Sequence, residues 1–179
     1  MWHRHGYSGV YELLFSSFKN KEFNLAEIGI KYGASLSAFR NYFPKAKLYG
    51  FDIEKQFIDA TQNLRIKYTK VSYMNVGDPK NIYSNLNKYN CKFKIMIDDS
   101  SHEFKDQVNI INQSVSFLES GGFLIIEDIN HYPGIEKEYL NNIKKKLKFF
   151  RSIFFVECNH VNKSSKGMNN DKLLILQKI

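Results

Sequence analysis

Cysteine is scarce in this chain: Cys91 and Cys158 are the two among 179 residues, and no C-x-x-C spacing occurs. That excludes a disulfide framework or a thiolate zinc site and is read as two free, buried thiols in a reducing compartment. Long hydrophobic runs are also missing. No apolar stretch approaches the roughly 18 residues that cross a bilayer, so membrane insertion is not expected. The opening MWHRHG lacks the apolar centre of a signal peptide, so the cytoplasm is the expected location. Internal repeats, low-complexity tracts and Pro/Gly/Ser linkers are absent too. One domain over residues 1–179 is therefore expected, with residues 1–20 giving an N-terminal helix that packs on the core.

What is present is a globular composition, 43% hydrophobic and 25% charged residues, with a net charge of +8. The lysines are scattered along the chain. Their densest run, Lys144-Lys145-Lys146-Leu147-Lys148, is expected on a helix, as a solvated face or as an attractor of a phosphate-bearing substrate. No aromatic-basic motif of the RNA-binding kind accompanies it, so nucleic acid is not an expected partner.

Hydrophobic periodicity orders the elements. Tyr7, Val10, Tyr11, Leu14, Phe15 and Phe18 follow helical spacing. A buried strand at Leu25–Gly29 and a helix from Ser35 to Tyr42, stopped by Pro44, come next. The rhythm repeats: a strand at Lys47–Ile53, a helix at Lys55–Tyr68, a strand at Val71–Val76 and a helix at Lys80–Lys88. The strand Phe93–Ile97 runs into Asp98-Asp99. Phe104, Val108, Ile111, Val115 and Leu118 make one helical stripe, capped by Gly121-Gly122, and Phe123–Ile126 is a strand ending in Glu127-Asp128. Alternation of this kind predicts an α/β fold, a mostly parallel sheet with helices on both faces. Two last strands, Ser152–Glu157 and Leu173–Gln177, are joined by the polar loop Asn159–Asp171 and predict an antiparallel hairpin, for seven strands in all.

In such a sheet, ligands bind at the carboxyl ends of the strands, near the point where strand order reverses. The loop after the first strand, Glu27-Ile28-Gly29-Ile30-Lys31-Tyr32-Gly33-Ala34-Ser35, fits E-x-G-x-x-x-G. Gly29 and Gly33 allow close backbone approach, and the helix start with Ser35 can receive a carboxylate. Glu27 suits a cationic amino group such as that of a methionine moiety. Asp52, ending the second strand, is positioned to accept hydrogen bonds from ribose, and Asp78 after the third to read an adenine amino group. Together these residues predict a nucleoside-bearing cofactor.

The fourth and fifth strands end in Asp98-Asp99-Ser100-Ser101-His102 and Glu127-Asp128. Clustered carboxylates need a cation or shared protons, and oxygen ligands favour a hard divalent ion such as magnesium. Such an ion holds and acidifies adjacent hydroxyls, and His102 can take the proton. Asp98 is assigned to the cofactor side. Alternatively, Asp98 and Asp128 cap helices and His102 is a surface residue.

The stretches YSGVYELLF, LAEIGIKYGASLSAFRNYFPKAKLYGFDIE, IMIDDSSH and FLESGGFLIIEDI make the chain similar to the metal-dependent sugar O-methyltransferases of the macrocin and mycinamicin type, grouped with cephalosporin-hydroxylase-like and rhamnosyl O-methyltransferase proteins. The pair IDDSSH and GGFLIIED is the discriminating part. The resemblance implies a Rossmann-like class I methyltransferase sheet, S-adenosylmethionine as methyl donor, a magnesium-type ion on Asp99, Glu127 and Asp128, and His102 as general base. Ser100 replaces the glycine of the family's D-G-S-H motif, which matters where that position needs positive φ. The implied substrate is a sugar hydroxyl on a nucleotide sugar or glycan, in surface-polysaccharide (capsule) or glycosylated natural-product biosynthesis. A catechol-like diol acceptor, a nucleic-acid methyltransferase (although no N-P-P-Y motif occurs), a nucleotide-binding module and a metal-dependent hydrolase are the other readings. A homo-oligomer is left open.

Overall fold

The computed structural model describes residues 6–158 and 171–179. The expectations for Met1–His5 and for the loop 159–170 lie outside the described residues. The elements are α1 (Tyr7–Phe15), β1 (Asn24–Ile28), α2 (Ala34–Tyr42), β2 (Lys47–Asp52), α3 (Lys55–Asn63), β3 (Thr69–Tyr73) and α4 (Pro79–Asn87). They continue with β4 (Phe93–Asp98), α5 (Phe104–Ser114), β5 (Leu118–Ile129), α6 (Ile135–Asn142), β6 (Phe150–Glu157) and β7 (Lys172–Lys178).

The strands form one seven-stranded sheet in the order β3-β2-β1-β4-β5-β7-β6. β1 to β5 run parallel, while β7 pairs antiparallel with both β5 and β6. The expected α/β architecture and terminal hairpin are thus both present. Central strands are apolar on both faces because helices cover both: Leu25, Ile95, Ile97 and Ile125 feed one core, and Ala26, Met96, Leu124 and Ile126 the other. Strand order reverses between β1 and β4, which puts their carboxyl ends at the switch point.

Several boundaries differ from expectation. α3 stops at Asn63 rather than Tyr68, because Arg65 and Tyr68 take left-handed backbone and the Tyr68 carbonyl accepts from Leu48 N at 2.9 Å, hooking the chain onto the sheet. Residues after Tyr73 leave the ladder, so the third strand is shorter and earlier than Val71–Val76. Gly121 and Gly122 do not cap α5. They lie inside β5, where the register against β4 slips between Phe93–Leu118 and Ile95–Phe123, and Gly121 supplies the positive φ of that bulge. α5 buries Gln107, Ile110, Ile111 and Ser114, so its buried face is turned from the apolar stripe and includes a polar group. The lysine run falls after α6, in a turn that passes at Leu147 into a short 3-10 helix before β6, not on an α-helix.

Candidate active site

Glu27, near the end of β1, is 2% exposed, and its Oε2 has no hydrogen-bond partner among the described residues. Burial pushes its carboxyl up to about 8, against the lowering hydrogen bond from Ser35, with the Asp99 charge adding to the rise. A buried carboxyl with a spare acceptor is primed for a cationic donor. It lines a cavity of about 480 Å³ between α1 and α2, together with Ser35, Tyr11, Phe39, Asp99 and Glu127.

Gly29 (φ 90°) makes its close approach to the chain itself: a methyl group there would collide with the Asp99 carbonyl and Ser100 Cα. The glycine therefore serves the crossing of the β1 and β4 loops, while still lining a second cleft of about 290 Å³. Gly33, at φ 75°, starts α2 and leaves no room for a side chain against Thr61. Asp52 lies at the lip of the second cleft and organises the loop, its Oδ2 accepting from Ile30 N at 3.1 Å and Lys31 N at 3.0 Å and its Oδ1 from Glu54 N at 2.9 Å.

Asp78 is not among the residues lining that cleft. Its carboxylate caps α4, accepting from Lys80 N at 2.9 Å, and Asn75, Val76 and Gly77 form the wall instead. Asp98 is fully buried and lines neither cavity. Its Oδ1 accepts from Ser100 Oγ at 2.6 Å and Ser100 N at 3.2 Å, and burial raises its carboxyl to about 7 despite those bonds. Ser100 is not at positive φ, so serine is tolerated, and its hydroxyl provides a bond that glycine lacks. Within the acid cluster, His102 (φ 58°) and Asp128 (φ 54°) are left-handed, a conformation rare outside glycine and often held at functional sites.

These two residues face each other. His102 Nε2 lies 3.8 Å from Asp128 Oδ2 and 3.9 Å from Asp99 Oδ1. One ligand atom from each of Asp99, His102 and Asp128 falls within 4.8 Å of the others, a spacing that suits a single metal ion. Asp99 rises to about 7, mainly from burial and then from the charges of Asp128 and Asp98. Glu127 stands apart from this triad. Tyr11 donates to it, and its carboxyl sits well above the usual range through burial and the Asp99 charge. The three expected acids thus share one edge, but the tight set replaces Glu127 with His102.

Sequence reasoning missed the groups that hold these acids. Tyr7 OH donates to Asp128 Oδ1 at 2.7 Å, and Tyr11 OH donates to Glu127 Oε1. Gln107 donates to the Glu127 carbonyl at 2.8 Å and itself accepts from Tyr139. The available signal was tyrosine rather than phenylalanine on the inner face of α1, since a buried phenol needs a partner.

A doubly wound sheet with an antiparallel β7, an acid-bearing first loop and an acid cluster at the switch point defines a Rossmann-like methyltransferase. The chain belongs to the methyltransferase domain family, which it matches over residues 32–176. It is 24% identical over 161 residues to 8-demethyl-8-alpha-L-rhamnosyl tetracenomycin-C 2'-O-methyltransferase of Streptomyces olivaceus, covering 85% of this chain and 41% of that protein. It is 28% identical over 139 residues to demethylmacrocin O-methyltransferase of Streptomyces fradiae, covering 73% of this chain and 34% of that one. The chain therefore spans well under half the length of these relatives. Its fold superposes on MycE methyltransferase of the mycinamycin pathway, a structure in complex with Mg, SAH and mycinamycin VI, with a TM-score of 0.74 at 20% identity over 99% of this chain and 50% of that one. An rRNA methylase from Streptococcus thermophilus shares the fold at 16% identity and a TM-score of 0.67, over 100% of this chain and 99% of that one.

Proposed function

We propose that the protein transfers a methyl group from S-adenosylmethionine to a sugar hydroxyl with the help of a divalent cation, magnesium by preference. The observation that carries this reading is Asp99. It lines both the cleft that holds Asp52 and the cavity that holds Glu27, and it belongs to the Asp99–His102–Asp128 cluster, so the cofactor and metal residues share one wall.

The donor set fits both groups. Asp52 and the Asn75–Gly77 wall suit the nucleoside end, and the spare Glu27 oxygen with Ser35 suits the amino-acid end. Asp99 and Asp128 would hold the cation, with Glu127 beside them. When bound, S-adenosylmethionine supplies an electrophilic methyl on a sulfonium. When bound, a divalent ion positions vicinal hydroxyls and lowers their pKa. The chain's own task is then alignment and proton removal. With both groups in place, the acceptor oxygen would take the methyl group as its bond to sulfur breaks, and the hydroxyl proton would pass to His102 Nε2, which lies beside Asp99 and Asp128. One of the relatives described above is named for 2'-O-methylation of a rhamnosyl tetracenomycin and the other as a demethylmacrocin O-methyltransferase, which supports a glycosylated small molecule over a surface polysaccharide. The aromatic wall of the larger cavity, with Phe39, Tyr42 and Phe43, supports a second reading in which the acceptor is a catechol-like diol.

The test is incubation with S-adenosylmethionine, magnesium and a panel of glycosides, nucleotide sugars, catechols and RNA, read by mass spectrometry. Methyl gain on a sugar is expected, together with a loss of roughly 10²–10⁴ in the single-turnover rate for His102→Ala. Methylation confined to RNA, or an undiminished rate after chelation, would overturn the reading.

A further inference from the structure

Charge is sorted by the ends of the strands. The acids of the candidate site stand at the carboxyl ends of β1, β2, β4 and β5, whereas lysines crowd the opposite floor of the sheet. Lys47 opens β2, Lys70 is the second residue of β3, and Lys92 and Lys94 flank the first residue of β4. Because β7 runs antiparallel, Lys178 at its end reaches the same floor and pairs with Phe150, the first residue of β6. The turn carrying Lys144 to Lys148 joins there, with Ile179 N donating to the Phe149 carbonyl at 3.0 Å.

This floor lacks carboxylate partners. Among the described residues, lysine–carboxylate pairs are Lys55 with Asp59 and Lys172 with Glu136 and Glu157, all away from it. Glu22 and Glu119 share a recess of the floor with Lys21 and Lys94, and among the described residues they form no ion pair with either. The ammonium groups rest on rings and carbonyls instead. Lys70 lies 5.5 Å from the Tyr89 centroid, Lys94 5.4 Å from Phe18, Lys92 5.8 Å from Phe117 and Lys148 5.2 Å from Phe149. Lys178 donates to the Val115 and Leu118 carbonyls at 3.0 Å. Such contacts orient cations without neutralising them, and the crowding is felt: Lys178 is lowered by burial and then by the Lys92 charge.

The chemistry of the floor selects a partner. It extends across all seven strands, roughly 30 Å at the usual strand spacing. Its cations are chiefly lysines, point charges rather than the bidentate forks that read phosphates one by one. The rings under Lys70, Lys92 and Lys94 are covered by ammonium groups, so they are not free for the base stacking on which single-strand binding relies. Exposed Tyr68, Phe149 and Ile179 stand at its margin, the amphipathic and apolar groups that settle at a lipid interface. We propose that this floor docks the protein on a membrane surface rich in anionic lipid, with the candidate site at the far edge facing the aqueous phase. Docking is peripheral, since among the described residues no helix is long and apolar enough to cross a membrane.

The experiment is co-sedimentation of the whole chain with phosphatidylserine–phosphatidylcholine vesicles and with phosphatidylcholine alone. Binding at least ~10-fold stronger to the anionic vesicles, weakening as salt shortens the screening length, is expected. The triple variant Lys47→Glu, Lys70→Glu, Lys92→Glu should lose at least ~10-fold of that binding while keeping the wild-type thermal midpoint. A control with the same change in net charge at the other edge, Lys80→Glu, Lys105→Glu, Lys137→Glu, should bind as wild type. Equal binding to both vesicles, equal losses in the two triple variants, or a preference for RNA oligonucleotides over anionic vesicles would overturn the proposal.

Discussion

Tyr7 gives its hydroxyl to one oxygen of Asp128 while the other is turned toward His102, so the phenol helps set the rotation of a carboxylate at the candidate metal site. Partners that orient ligating carboxylates in this way typically contribute 10- to 100-fold to metal affinity. Tyr7→Phe keeps the ring and should weaken Mn²⁺ binding, read by electron paramagnetic resonance, by roughly tenfold. Unchanged affinity would make Tyr7 a matter of core fit alone. Glu27 sets a pH dependence at the same scale. Its folded value of about 8 lies above the ordinary 4.5, so the folded state keeps a proton that the unfolded chain releases. Its contribution is therefore fully present at low pH and is lost as pH rises toward the folded value. Stability of the ligand-free protein should fall between about pH 5 and about pH 8, by up to about 1.4 kcal/mol per pH unit from this group. Asp98 and Asp99 slope the same way, so the readout is the difference in denaturation curves between wild type and Glu27→Gln. Identical slopes in the two proteins would refute the assignment.

At the scale of elements, the crossing of the β1 and β4 loops determines whether the site assembles. Gly29→Ala would press a methyl group deep into the Asp99–Ser100 backbone, whereas Gly33→Ala makes a shallower clash with the Thr61 side chain; both positions add strain at positive φ. The first should lower the thermal midpoint more than the second and also weaken Mn²⁺ binding, since it displaces Asp99. Equal midpoints would show that the loops are free to part. The same comparison shows what the sequence could and could not reveal. Strand and helix order was legible because short apolar runs such as Phe93–Ile97 and period-3.6 stripes survive in single segments, and strand-end acids follow from the order. Gly29 was legible as a necessary glycine but not for its reason, because the atoms it avoids come from a loop 70 residues away. Asp78 looked like a ligand and is a helix cap, two roles that a lone acid before Pro79 does not distinguish. Tyr7 and Tyr11 read as apolar positions because spacing reports burial, not what a hydroxyl meets across the fold.

At the scale of the molecule, the cleft proposed for the cofactor draws its lining from the ends of β1 and β2 and from the loops after β3 and β4, so one ligand would touch four strand ends at once. A ligand that binds only the folded chain stabilises all of it, by about 2.7 kcal/mol at a hundredfold excess over its dissociation constant. For a chain of this length each kcal/mol moves the thermal midpoint by about 2–4 °C, so S-adenosylhomocysteine should raise it by roughly 5–10 °C. A nicotinamide dinucleotide should give no comparable shift, because the first loop offers a lone buried carboxyl, Glu27, rather than a bare glycine cradle for a diphosphate. Magnesium should add a separate increment, because its ligands adjoin the cleft and only Asp99 is shared. Asp99→Asn should abolish the magnesium increment and leave most of the S-adenosylhomocysteine increment. Asp52→Asn should erode the S-adenosylhomocysteine increment while sparing that of magnesium. Were the two variants to lose both increments together, the cleft and the acid cluster would be one site, and Asp99 would be their common floor rather than the wall between them.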